Sequence, residues 1–226
     1  MTETQVSGRE LRLLFEKSGP IRFISHLDLT RTFHRAFLRA GIPFQFSLGF
    51  SPHPKFSFAL PLSVGTESLA ELADFTIQAT CPLSDGEILH ALQEQMPAGI
   101  VLKHIGEQKE KFSAIAFASY EVTLPLADPK AIFQVESLLK EPLIIKKKNK
   151  KGKWVEKDIG KGIHSVSFRE RDGGVLMTAK LCASGENYLK PESVLTALQE
   201  ALPEWNTKEK RILRTGIFRE DGSAFE

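Results

Sequence analysis

The chain has 226 residues, 42% apolar and 26% charged, with 30 Lys+Arg against 28 Asp+Glu. Its length and apolar content fit one large or two small globular domains and exclude wholesale disorder. No run approaches the roughly 20 apolar residues of a membrane span, Met1–Glu10 lacks a signal-peptide core, and Cys81 and Cys182 show no cluster-binding spacing, so a cytoplasmic chain with no cofactor of its own is expected.

In chain order, Leu11, Leu13 and Phe15 alternate with Arg12 and Leu14 as in a strand, and Ser18-Gly19-Pro20 is turn chemistry. Ser25 with Asp28 forms a variant capping box for a helix reaching about Ala40, with Leu29, Phe33, Ala36, Phe37 and Ala40 on its apolar side. Extended segments at Phe44–Leu48, Phe56–Leu60 and Leu69–Gln78 follow. Ser84 and Glu87 cap a second helix that Pro97 and Gly99 end, and Ile100–Ile105 reads as a strand.

Beyond a polar bridge, Ala114–Leu126 is again strand-like, Asp128-Pro129 opens a helix reaching Lys140, and Leu143–Ile145 starts an extended segment interrupted by a lysine-rich loop. Asp172-Gly173-Gly174 joins Ile163–Phe168 to Val175–Leu181 as a hairpin. Pro191 opens a helix with Val194, Leu195, Leu198 and Leu202 inward, and Arg211–Phe218 is a final strand. The fold class expected is α+β, built from two tandem ferredoxin-like (β-α-β-β-α-β) units over residues 8–106 and 112–220.

The near-neutral total hides segregated charge. Between Lys17 and Lys55 lie six basic residues and one acid, Asp28, whereas Phe56–Ile105 holds one basic residue and six acids. Lys146–Lys161 carries eight lysines against Glu156 and Asp158. Two basic segments of this kind suit a polyanion, with nucleic acid the usual one. Arg31, Arg35 and Arg39 recur at helical spacing on one stripe, and Arg22 precedes them; guanidinium groups fork onto phosphates and stack on bases. Lys146, Lys147, Lys148, Lys150 and Lys151 form the core of the second basic segment. A solvated helix face and a solubilising lysine loop are the competing readings.

The segment Ser47-Leu-Gly-Phe50-Ser-Pro-His53-Pro-Lys55-Phe56 is the least ordinary of the chain. Two prolines clamp His53 in a restricted backbone, with Phe50 and Phe56 on either side and Lys55 adjacent. Aromatic faces, a rigid imidazole and a phosphate-seeking ammonium could hold a nucleotide; a loop whose histidine merely caps a carbonyl is the alternative. His26, His34 and His53 are also candidate acids or bases for metal-independent RNA cleavage. The histidines have no metal-ligand spacing, and no glycine-rich nucleotide loop or nucleophile elbow occurs.

Lys17-Ser-Gly-Pro-Ile-Arg22-Phe-Ile-Ser25-His26-Leu-Asp28-Leu29, followed by Arg35-Ala36, Arg39-Ala-Gly41, Ser47, Gly49-Phe-Ser-Pro-His-Pro-Lys55, Pro61-Leu62 and Gly65, resembles the radical-SAM-linked protein family. That family is a domain of unknown function beside, or fused to the C-terminus of, radical SAM proteins. The resemblance implies a partner that carries the cluster and S-adenosylmethionine, and it transfers no catalytic residue. The function expected is a non-catalytic RNA-binding or substrate-presenting module serving such an enzyme. An RNA endonuclease and a protein adaptor are the alternatives.

Overall fold

The computed structural model describes residues 8–48, 50–125, 138–139, 142–148, 152–203 and 207–226. The fold is α+β, and the chain divides into two compact units, Met1–Phe112 with Glu226, and Ser113–Phe225. Among the described residues no helix is long and apolar enough to cross a membrane.

The first unit contains β1 (Arg9–Lys17), a 3-10 turn (Gly19–Phe23), α1 (His26–Arg39), β2 (Phe56–Phe58), β3 (Thr66–Ile77), α2 (Asp85–Gln95) and β4 (Ile100–Glu107). Its strands pair antiparallel in the order β4-β1-β3-β2. The alternation of β1 sends Leu11, Leu13 and Phe15 to one face, where α1 supplies Leu29, Phe33, Ala36 and Phe37 and α2 supplies Ile88 and Leu92. Phenylalanine dominates this core. Phe33 packs 5.0 Å from Phe15 and 5.5 Å from Phe56, and Phe37 stacks on Phe44 at 4.2 Å between ring centroids. Each such ring contributes about 1.5–3 kcal/mol through burial and about 0.5–1.5 kcal/mol more through its aromatic pairs.

Both helix starts follow from their caps. The Ser25 hydroxyl accepts the Asp28 N–H, while Ser84 and Glu87 complete a reciprocal capping box. Gly99, at φ +92°, opens β4 where its carbonyl accepts the Ser18 N–H at 2.8 Å, and a Cβ there would collide with the Ser18 oxygen.

The second unit contains β5 (Phe117–Pro125), β6 (Ile144–Lys148), β7 (Trp154–Asp158), β8 (Ile163–Arg171), β9 (Gly174–Cys182), α3 (Pro191–Ala201) and β10 (Arg211–Phe218). Strands β10, β5, β9 and β8 pair antiparallel in that order, and β6 and β7 form a separate hairpin. Asp172 (φ 50°) and Gly173 (φ 73°) make the left-handed turn that joins β8 to β9. The helix expected over Asp128–Lys140 lies outside the described residues except for 138–139.

The lysine-rich stretch departs from the loop expected of it: Lys146, Lys147 and Lys148 are strand residues, paired with Glu156, Val155 and Trp154. Ile144, Ile145, Trp154 and Val155 carry the extended preference there, and buried Ile145 anchors the ribbon. The run of lysines masks that signal, because lysine has little strand preference of its own.

Candidate nucleic-acid interface

Burial of Leu29, Phe33, Ala36 and Phe37 turns the opposite side of α1 outward, with Asp28, Arg31, Arg35 and Arg39 all exposed. Arg31 lies 3.3 Å from Asp28, a pair more than half exposed on both sides and therefore screened by solvent. The Ser25 hydroxyl, which donates to Asp28, and Arg31 together hold that carboxyl below its ordinary value. Arg39 is differently engaged. Its guanidinium donates to the Gln95 carbonyl at 2.6 Å and to its side-chain oxygen at 3.1 Å, tying α1 to α2. Arg22 stacks 4.6 Å above Phe23 and sits 3.5 Å from the Glu67 carboxylate. Of the four arginines, Arg31 and Arg35 therefore form the open cationic face.

The Pro-His-Pro loop is closed on itself. Phe46 bridges Pro54, the Ser47 N–H donates to the His53 carbonyl at 2.9 Å, and Ser47 Oγ is 2.9 Å from His53 Nδ1 and accepts the His53 N–H at 3.1 Å. The imidazole is exposed, and with Nδ1 held by Ser47 it can offer Nε2 to a ligand. Lys55 turns away to donate to Gln45 Oε1 at 2.8 Å. Phe50 is fully exposed, and Leu48 beside it is exposed as well. Phe56, expected to flank His53 as a second platform, instead joins the phenylalanine core against Phe33, Phe37 and Phe58.

His34 is half-buried between the rings of Phe44 and Phe56, its Nε2 is enclosed without a hydrogen bond, and burial lowers its pKa. His26 is exposed and packs edge-on against Phe58.

In the second unit Lys146 is exposed, Lys147 and Lys148 lie on β6, and Lys150 and Lys151 lie outside the described residues. A cleft of about 840 Å³ in that unit, between the β8–β9 turn and residues 208–211, mixes Arg171, Lys208, Lys210 and Arg211 with Glu121, Asp172 and Glu209, a near-balanced lining. Among the described residues no group of three or more His, Cys, Asp or Glu is arranged to hold a metal ion.

Sequence reading missed a set of buried charges in the first unit. Lys17, Glu67 and Glu71 are each at most 3% exposed. Glu67 accepts the Gly19 N–H at 2.8 Å beside Arg22. Lys17 and Glu71 line a small cavity with Ser25, His26, Phe58 and Leu62. The available signal was the alternation itself, since Lys17 continues the inward series Leu11, Leu13, Phe15.

No curated protein matches the chain. Among solved structures, it is similar to an unknown protein from Galdieria sulphuraria known from a crystal structure, at 11% identity over 90% of this chain and 95% of that one, with a TM-score of 0.27. The family model described as "Uncharacterized protein conserved in bacteria (DUF2344)" matches residues 10–191, and the chain belongs to that family.

Proposed function

We propose that the chain is a non-catalytic RNA-binding or substrate-presenting module that acts beside a radical SAM enzyme in RNA modification in the cytoplasm. The observation that carries this reading is the outward face of α1, where Arg31 and Arg35 stand exposed with Asp28 the one acid of the helix. Guanidinium groups on a rigid helix position a phosphate backbone without reading its sequence. The closed loop adds an exposed aromatic ring, Phe50, and an imidazole held by Ser47.

The strand orders β4-β1-β3-β2 and β10-β5-β9-β8 support reading each unit as ferredoxin-like, with β6–β7 as an insertion in the second. The radical SAM partner rests on the sequence resemblance over residues 17–65.

Titrating labelled single-stranded and structured RNA with the full chain at low salt tests the reading. Saturable binding is expected, and no binding to either RNA overturns it. A second reading, metal-independent RNA cleavage, is favoured by the exposed imidazole of His26 on α1, the helix that also carries Arg31 and Arg35. An imidazole would move the proton and a guanidinium would stabilise the charged phosphorane. RNA incubated with the protein in chelator stays intact under the first reading. Cleavage that His26→Ala abolishes would establish the second.

A further inference from the structure

We propose that the loop between Phe46 and Pro54 is a wedge that parts stacked bases in structured RNA, with Leu48 and Phe50 as its apolar edge; this rests on the RNA-binding reading above and gives its substrate-presenting role a physical form. The root of the loop is fixed to the first unit. The Gln45 N–H donates to the Thr76 carbonyl at 2.8 Å, the Thr76 N–H donates to the Lys55 carbonyl at 3.0 Å, and Phe44 stacks on Phe37 in the core. The Lys55 N–H donates to the Gln45 carbonyl at 2.9 Å and so joins the two limbs. Farther out, Ser47 and His53 join them again, through the Ser47 N–H to the His53 carbonyl and the His53 N–H to Ser47 Oγ. Pro52 and Pro54 restrict the returning limb.

This frame carries apolar groups outward. Phe50 is fully exposed, Leu48 is 80% exposed and Phe46 is 49% exposed, whereas Phe44 is buried at the root. One exposed apolar side chain is ordinary, but two large ones on a doubly closed loop form a contact surface.

Charge selects the occupant. From Leu29 to Thr66 the sequence holds no Asp or Glu, while Arg31, Arg35, Arg39 and Lys55 lie within it. The complementary partner is anionic outside and apolar within, as a base-stacked nucleic acid is. Leucine has no ring to lay against a free base, so Leu48 with Phe50 suits insertion between bases rather than a platform beneath them. An anionic bilayer shares the charge and the apolar interior. Ser51 and His53, however, stand exposed on either side of Pro52, and a bilayer would strip their water without offering partners. Base edges and 2′-hydroxyls replace that water. A base step beside a bulge opens at least cost, which makes such steps the substrate class.

The test uses the full chain as wild type, Phe50→Ala and Phe50→Tyr. Each is titrated with a short RNA hairpin carrying 2-aminopurine beside a single-nucleotide bulge, and with vesicles of phosphatidylserine and phosphatidylcholine. Wild type is expected to bind the hairpin with a rise in 2-aminopurine emission, as the base leaves its stack, and to leave the vesicles unbound. Phe50→Ala is expected to lose most of that rise and to keep the salt slope, because the slope counts phosphate contacts. Phe50→Tyr should keep the rise, because a ring of the same width still inserts. Binding without a rise by wild type, or an equal rise by Phe50→Ala, overturns the wedge and leaves the RNA-binding reading standing. Vesicle binding that Phe50→Ala abolishes, with the RNA signal untouched, overturns it in favour of a membrane contact. Wild type that binds no RNA removes the parent reading and this one together.

Discussion

Arg12 and Asp74 show how a charge can serve the fold rather than a ligand. Both are buried, and Arg12 forks onto the carboxylate at 2.7 and 2.9 Å while donating to the Glu110 carbonyl at 2.6 Å. Gln108 donates to the same carboxylate at 2.7 Å. Removing one partner leaves a buried charge, so Asp74→Ala should cost about 3–5 kcal/mol in urea denaturation, and Arg12→Met combined with Asp74→Leu should cost clearly less than the sum of its parts. A loss under 1 kcal/mol for Asp74→Ala would contradict the arrangement. Nothing local announces this pair, because its members are 62 positions apart and each resembles a surface residue in isolation.

His34 sets a second expectation at the same scale. Burial lowers its pKa below the ordinary 6.5. The unfolded chain therefore takes up the proton first, and the stability present above pH 6.5 is lost as pH falls through the lower folded value. His34→Gln should flatten that part of the stability–pH profile, and imidazole proton shifts should show the lowered midpoint directly. A midpoint at or above the ordinary value would refute the enclosed ring.

At the scale of elements, the caps and glycines make separable contributions. Ser84→Ala should lower stability by about 1 kcal/mol. Glu87 is held below its ordinary 4.5 by the Ser84 hydroxyl and N–H, so its contribution is complete above that pH and fades as pH falls through the lowered value. Glu87→Gln should accordingly shrink the acid-induced loss.

Gly99→Ala meets both a left-handed backbone and the Ser18 carbonyl, whereas Gly173→Ala meets only the backbone, with open space around it. The Gly173 change should cost about 1–2 kcal/mol and the Gly99 change distinctly more. Equal losses would show that the β4 entry is looser than described.

Elements with strong local signatures were legible in the sequence. Helix α1 follows from Ser25, Asp28 and the spacing of Leu29, Phe33, Ala36 and Phe37, and the β8–β9 turn follows from Asp172-Gly173. The arginines of α1 were legible as a stripe, but their partners were not: Gln95 and Glu67 come from α2 and β3, and only folding shows that Arg39 and Arg22 are engaged. The strand character of Lys146–Lys148 was not legible, because cross-strand pairing is non-local and lysine has little strand preference of its own. The burial of Lys17, Glu67 and Glu71 was not legible because a charged side chain on a strand ordinarily faces water.

At the scale of the whole molecule, the chain carries two basic surfaces in two different units, α1 in the first and the β6–β7 ribbon in the second. Cations on the first are partly committed: Arg22, Arg39 and Lys55 have protein partners, and Arg31 faces outward beside its exposed partner Asp28, as Arg35 does one turn on. A polyanion-binding role therefore depends on a few open groups rather than on net charge, which is only +2.

The most direct measurement of this account is the salt dependence of affinity for a single-stranded RNA, for wild type and for the double variant Arg31→Ala/Arg35→Ala. If about five phosphates are neutralised, the log–log slope for wild type is about −3.5, and the double variant should be shallower by about 1.4 with weaker binding throughout. A wild-type slope near zero, or a double variant indistinguishable from wild type, would contradict the central claim that the outward face of α1 engages a phosphate backbone.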